Sequence, residues 1–323
     1  MDTRLPGARA RRTQRAAVAG VALAGLLSLL TACGGTPSAG ADRTGPAADG
    51  AAPAAQHKDA KLAALLPKKV RDSGELVVAE GDDYPPLVSL ASDNKTLVGV
   101  EPELMRAIGQ VLGVKVKFST ASFDSIIGGV QSRRYDLAIQ AMLDKPERRQ
   151  HVTFVDYFKT SSSMLVQQKD ASAVKSLGDL CGRTAAVEKG TAQVEDVEAQ
   201  AKKCKAAGKP AAKTLVFPDS VGCFQALSTG RANAFVGGTP TVAYQAEQSK
   251  GQLSQVGEPY NFLPYGILVN KQDKDLVDAV RQALQKVIDN GAYGKILKRW
   301  NVESGAVDRA TVNGESATSG GSE

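Results

Sequence analysis

Three short stretches of this chain carry residue types that can do chemistry, and each begins where an apolar run ends. Glu80-Gly81-Asp82-Asp83-Tyr84-Pro85-Pro86 offers carboxylates and an aromatic ring. Gln140 and Met142 follow an apolar triplet and lead to the turn Pro146-Glu147-Arg148-Arg149, which carries Arg148. A guanidinium fixed there is shaped to clamp a carboxylate through two parallel N–H donors. Glu188-Lys189-Gly190-Thr191 runs into a helix start, where unpaired backbone N–H groups and the Thr191 hydroxyl make a seat for an anion. Taken singly, each also has a plainer reading: a solvated turn, an exposed charge cluster, an ordinary helix cap. Together they outline a cleft for a small carboxylate or zwitterion. The chain has two histidines, His57 and His151, which argues against a histidine-rich metal site and most triad chemistry.

For these stretches to converge they must lie at the carboxyl ends of neighbouring parallel strands, where open α/β sheets bind ligands. The hydrophobic pattern supplies such strands. Leu76-Val77-Val78-Ala79 reads as a buried strand. Pro102 marks the first turn of a helix with Leu104, Ile108, Val111 and Leu112 on one face and Gly113 as its stop. Val114, Val116 and Phe118 alternate as a strand, Ile126, Ile127 and Val130 line a helix, and Leu137-Ala138-Ile139 form the next strand. A second series follows: strand Thr184-Ala185-Ala186-Val187, a helix carrying Val194 and Val197, and strand Leu215-Val216-Phe217. Ile126, Ile127 and Val130 recur 97 residues later as Cys223, Phe224 and Leu227. That recurrence implies two lobes wired alike, and a Cys223 that faces a core. Leu276, Val280, Leu284, Val287 and Ile288 line a late helix, Gly291 stops it, and Tyr293, Ile296, Leu297 and Trp300 form a last turn. The expected class is α/β, with mostly parallel sheets flanked by helices.

Not all of the 323 residues belong to that fold. Arginines up to Arg15 precede an uncharged apolar run over 16–30, too short for a bilayer helix and suited to a signal peptide. Leu30-Thr31-Ala32-Cys33 resembles the bacterial lipobox, which implies removal of 1–32 and a lipid on Cys33. Residues 33–60, rich in Gly, Ala, Pro and Ser, read as a disordered tether. Setting aside 1–32, with five arginines and one aspartate, reduces the net charge from +6 to +2. Nothing in that balance argues for nucleic acid. Cys181 and Cys204 sit in polar contexts. In an exported chain they are candidates for a disulfide closing a loop of about 24 residues.

The sequence resembles family 3 of the bacterial extracellular solute-binding proteins, the polar amino-acid-binding group of ABC transporters. The resemblance rests on Gly74-Glu75-Leu76-Val77-Val78 with Asp83-Tyr84-Pro85-Pro86, on Leu97 to Leu104, on Phe123-Asp124, and on Pro146-Glu147-Arg148-Arg149 to Phe154. It continues through Leu177 to Thr184, Glu188-Lys189-Gly190-Thr191 and the stretch from Gly291 to Trp300, in order over about 65–302. The resemblance implies a two-lobed, type II periplasmic-binding-protein-like fold with the ligand cleft between lobes. Lobe 1 would comprise 61–162 and 261–302, lobe 2 would comprise 163–260, with crossings near 161–163 and 259–264 and a disordered tail over 303–323. It implies that Arg148 grips a ligand carboxylate, helped by Gly190 and Thr191, and that Tyr84 and Phe123 sandwich the ligand. Glu80, Asp83, Gln140, Met142, Glu188 and Thr239 complete the expected ligand-binding set. No cofactor, metal or catalytic residue follows from it.

What it implies is a monomeric protein, lipid-anchored at the outer face of the cell membrane, that closes on a small polar carboxylate-bearing solute and delivers it to an ABC permease. Two alternatives stand beside it: a dehydratase-like enzyme on the same scaffold with Glu188 as acid or base, and a ligand sensor for a membrane signalling protein. The sequence also departs from the family. The acid that would hold a ligand amino group is Gly238, before Thr239-Pro240, and Leu143 and Ala192 replace hydroxyl residues. Either Glu80, Asp83, Asp144 or Glu188 stands in for that acid, or the ligand is not a standard α-amino acid.

Overall fold

A computed structural model describes residues 55–314; the signal segment, Cys33 and most of the tether lie outside the described residues. The described chain enters through α1 (Ala60–Leu65) and α2 (Lys68–Ser73). In β1 (Glu75–Glu80), Leu76, Val78 and Ala79 are fully buried, as a strand flanked by helices requires. A small antiparallel sheet of β2 (Asp83–Tyr84), β3 (Val88–Leu90) and β4 (Leu97–Val98) leads to α3 (Val100–Leu112). Gly99 caps α3 at φ 131°, and a Cβ there would collide with the Leu87 carbonyl, so the entry turn demands glycine. β5 (Lys115–Thr120), α4 (Ile126–Gln131), β6 (Leu137–Ala138) and the short α5 (Pro146–Arg149) follow. Then comes the long β7 (Val152–Gln167).

The next series is β8 (Thr184–Glu188), α6 (Ala192–Ala206), β9 (Lys213–Phe217), α7 (Ser220–Ser228), β10 (Ala234–Gly238) and α8 (Thr239–Gln248). A second long strand, β11 (Leu253–Asn270), returns the chain to α9 (Lys274–Asp289), α10 (Ala292–Arg299) and β12 (Thr311–Val312). The strand order is β5-β1-β6-β11-β7-β10-β8-β9, with β12 beside β7. β1 pairs in parallel with β5 and β6, and β8 in parallel with β9 and β10. In each half the first strand is central, the second goes to the edge and the third returns inward. The recurrence in the sequence implied this common wiring, and Ile126 and Cys223 are both fully buried.

β7 and β11 run antiparallel through both lobes, from Val152↔Asn270 to Gln167↔Leu253. Their register shifts between Val256 and Tyr260 and again between Tyr260 and Leu263, opposite Ser162 and Thr160. Irregular pairing bends a strand pair, and here it marks the passage from one lobe to the other. Leu276, Val280, Leu284 and Val287 of α9 are buried in the lobe 1 core with α3. In lobe 2 a disulfide joins Cys181 to Cys204, tying α6 to the loop before β8, while Cys223 stays a free, buried thiol.

Two expected boundaries need correction. The tether does not extend to residue 60. Gln56 donates its N–H to Gln110 at 2.8 Å and accepts from Asn290 at 2.6 Å, and Asp59 caps α1 and pairs with Lys286 at 3.2 Å. Those attachments are polar, so the stretch lacks an apolar pattern. Nor is the tail disordered from 303. Val307 and Ala310 are buried, β12 pairs with β7 at Asp156 and Val155, and Asn313 exchanges hydrogen bonds with Phe154. This C-terminal strap is held by hydrogen bonds together with the burial of Val307 and Ala310 in the lobe 1 core; residues 315–323 lie outside the described residues.

Candidate ligand site

The stretches after β1, β5, β6 and β8 meet around a cavity of about 20 Å³, room for roughly one water. Six of the expected residues line it: Tyr84, Phe123, Gln140, Arg148, Glu188 and Thr191. Ala141, Leu143, Ala192, Gln193 and Tyr265 complete the wall.

Arg148 is set by α5, whose first residue is Pro146. Its guanidinium donates to the Leu143 carbonyl at 2.9 Å on lobe 1 and to the Gly190 carbonyl at 3.1 Å on lobe 2. It also lies 5.6 Å from the centre of the Phe123 ring, within range of a cation–π attraction. Burial lowers its pKa from the ordinary value, yet an arginine stays charged. Among the described residues no carboxylate pairs with it at ion-pair distance. The adjacent Arg149 turns the other way and grips the fully buried Asp144 through two bonds, 2.6 and 3.0 Å.

Glu188 ends β8 with 5% of its surface exposed. Its carboxyl has no hydrogen bond or ion pair among the described residues. Burial, reinforced by the charges of Asp83, Asp219 and Asp124, pushes its pKa up to about 8. At neutral pH it is therefore mostly protonated, and an arriving cation would ionise it. The buried Gln140 Oε1 also lacks a partner. Thr191 donates its hydroxyl to the Glu188 carbonyl at 2.7 Å, and α6 begins with Ala192 and Gln193 facing the cavity.

The other expected residues are engaged elsewhere and do not line the cavity. Glu80 is fully buried behind the wall beside Glu101, which accepts from the Ala141 N–H at 2.6 Å and from the Tyr157 hydroxyl. Burial raises the pKa of both carboxyls and mutual repulsion raises that of Glu80 further, so the pair retains a proton. Asp83 reaches across to lobe 2, accepting from the Ser220 N–H at 2.7 Å at the start of α7. Met142 is packed in the lobe 1 core. Thr239 bonds the Ser161 and Ser163 hydroxyls, each at 2.7 Å, at the crossing. Gly190 contributes its carbonyl to Arg148, and Asp144 is taken by Arg149.

Two ion pairs join the lobes beside the cavity, Lys145–Glu195 at 2.6 Å and Lys189–Asp124 at 2.8 Å. Gly238 donates its N–H to the Tyr84 hydroxyl at 2.7 Å, and a Cβ there would run into the Tyr265 hydroxyl. Sequence reasoning missed Tyr265 and Gln193. Gln193 directly follows the Thr191-Ala192 helix start and bonds Ser162 at 2.8 Å, so its position offered a signal. Tyr265 lies within a long strand and offered none.

The chain matches the bacterial extracellular solute-binding proteins, family 3, over residues 76–303. It is 30% identical over 254 residues to the arginine-binding protein ArgT of Corynebacterium glutamicum, covering 78% of this chain and 83% of that one. Among solved structures, an ancestral arginine-binding protein bound to arginine matches with a TM-score of 0.64 at 32% identity, covering 70% of this chain and 98% of that chain. The ancestral amino acid-binding protein AncCDT-1, a precursor of cyclohexadienyl dehydratase, matches with a TM-score of 0.66 at 28% identity, covering 72% and 97%.

Proposed function

This chain belongs to the bacterial extracellular solute-binding proteins, family 3, and we propose that its solute is a small carboxylate bearing a cationic group, an amino acid or a derivative of one. One observation carries this reading. The Arg148 guanidinium is desolvated, lies over Phe123 and bridges carbonyls of the two lobes without a carboxylate partner. A buried cation gains most from an anion placed against it. Glu188, in the same cavity and equally without a partner, takes the cationic end. The arginine-binding relatives support a solute of this charge pattern.

The present cavity is far smaller than the roughly 300–1,000 Å³ of a ligand pocket. Solute enters when the contacts across the cleft part, namely Arg148–Gly190, Asp83–Ser220, Lys145–Glu195 and Lys189–Asp124. A solute that touches both lobes favours closure by its differential affinity for the closed form. A lipid on Cys33 keeps the monomer at the outer face of the membrane, and the closed form docks on an ABC permease. Calorimetric titration with amino acids and their derivatives, L-arginine first, is expected to give one saturable site that Arg148→Ala removes. A variant that binds like wild type ends the assignment.

Glu188 also favours a second reading, a dehydratase-like enzyme, since a carboxyl with a pKa of about 8 is a general acid at neutral pH. The likeness to AncCDT-1, itself an amino acid-binding protein, shows only that this scaffold has preceded a dehydratase. Conversion of a bound cyclic acid to a new product, lost in Glu188→Gln, would decide for catalysis; stoichiometric binding without turnover decides against it.

A further inference from the structure

Building on the reading of Arg148 and Glu188 as the two poles of the site, we infer that the cavity selects carboxylates whose cationic group is remote from the carboxylate, and gives no charged seat to an ammonium on the α-carbon. The surroundings of Arg148 carry the first part of the argument. Its donors meet two backbone carbonyls and its face meets a phenyl ring. The nearby wall is aliphatic, from Ala141, Leu143 and Ala192. The acids whose charges bear on Arg148 are Glu195 and Glu147, whose side chains are exposed outside the cavity, and Asp144 is held by Arg149.

The space between the poles carries the second part. Tyr265 pairs in a β-bridge with Leu143, whose carbonyl holds Arg148, and the Tyr265 and Tyr84 hydroxyls both lie at Gly238, whose N–H donates to Tyr84. The wall therefore runs from Arg148 and Leu143 past the two phenols to Gly238 on β10, the neighbour of β8, which ends at Glu188. Both tyrosines have their pKa raised by burial and stay neutral. No side chain fits at Gly238, where the Tyr265 hydroxyl occupies the position of a Cβ. The charges that raise the pKa of Glu188 are those of Asp83, Asp219 and Asp124. Gln140 Oε1 adds one free acceptor but no charge. An α-ammonium would be desolvated against aliphatic and phenolic groups with no anion to balance it. A distal ammonium or guanidinium would meet Glu188 among three further acids.

The test is a calorimetric comparison of L-arginine with 5-guanidinopentanoate, which is arginine without its α-amino group, on wild type, Arg148→Ala and Glu188→Gln. The expected result is that 5-guanidinopentanoate binds at least as tightly as L-arginine, that Arg148→Ala abolishes its binding, and that Glu188→Gln weakens it by about thirtyfold or more. Tighter binding of L-arginine overturns the inference and leaves the solute class standing. Binding of neither compound overturns both. Unchanged affinity in Glu188→Gln removes that residue as the partner of the cation.

Discussion

Arg148 and Arg149 are neighbours on one four-residue helix, yet they serve two different regions. Arg149 faces a packed seam under the C-terminal strap, where it pairs bidentately with Asp144. Beside that pair Asp156 takes hydrogen bonds from Thr311 and Gly314. Arg148 faces the cavity and meets only carbonyls and a ring. The carboxyls divide the same way. One oxygen of Glu101 accepts from a backbone amide and a tyrosine, whereas the Glu188 carboxyl has no partner among the described residues. The difference is one of pairing: Arg149 is held by a carboxylate within the chain, whereas Arg148 and the largely protonated Glu188 line the cavity without a counter-ion among the described residues.

The comparison is tested most severely in the seam. Arg149→Ala leaves Asp144 buried without its counter-ion, and the expected loss is about 3–5 kcal/mol of unfolding free energy, measured by urea denaturation. A variant as stable as wild type would break the contrast. Arg148→Ala should do the reverse. Its melting temperature should match wild type, while binding of the solute weakens by roughly 2–5 kcal/mol in calorimetry. A third variant sharpens the picture in lobe 2. Replacing Cys181 and Cys204 by serine frees a loop with a sequence separation of 23 and should lower stability by about 3 kcal/mol. Solute affinity should hardly change if α6 keeps its place.

The last effect, the smallest when counted per pH unit, is a pH dependence. Glu188 titrates at about 8 in the folded chain against an ordinary value of 4.5. Between those values the native state holds a proton that the unfolded state has released, so stability falls as pH rises through that window. This one group contributes a slope of at most about 1.4 kcal/mol per pH unit. Asp156, raised to about 7 by burial and by Asp144, acts in the same direction. Glu188→Gln should flatten its share of the slope and make the variant more stable than wild type above pH 8. Identical pH–stability curves would contradict a buried, unpartnered carboxyl.

Much of this arrangement was legible because the apolar runs of β1, β6 and β8 announce buried strands, and residues at or beyond their ends enter the cavity. Arg148, Tyr84 and Glu188 could be found in this way. What stayed hidden depends on contacts between distant segments. Asp83 stands beside Tyr84 in sequence, yet reaches for the start of α7, and nothing in the local pattern names Ser220 as its partner. Glu80 reads like Glu188, a carboxylate closing an apolar strand, but it packs beside Glu101 behind the wall. Tyr265 lines the cavity from a point where β11 shifts register against β7, which no local pattern announces. The strap at 303–314 carries too little apolar surface to betray its docking.

Native mass spectrometry of wild type and Arg148→Ala, each purified from cells under identical conditions, tests the central claim most directly. The account predicts a carboxylate-bearing solute retained by wild type and missing from the variant. The same solute on both proteins, or none on either, would contradict it.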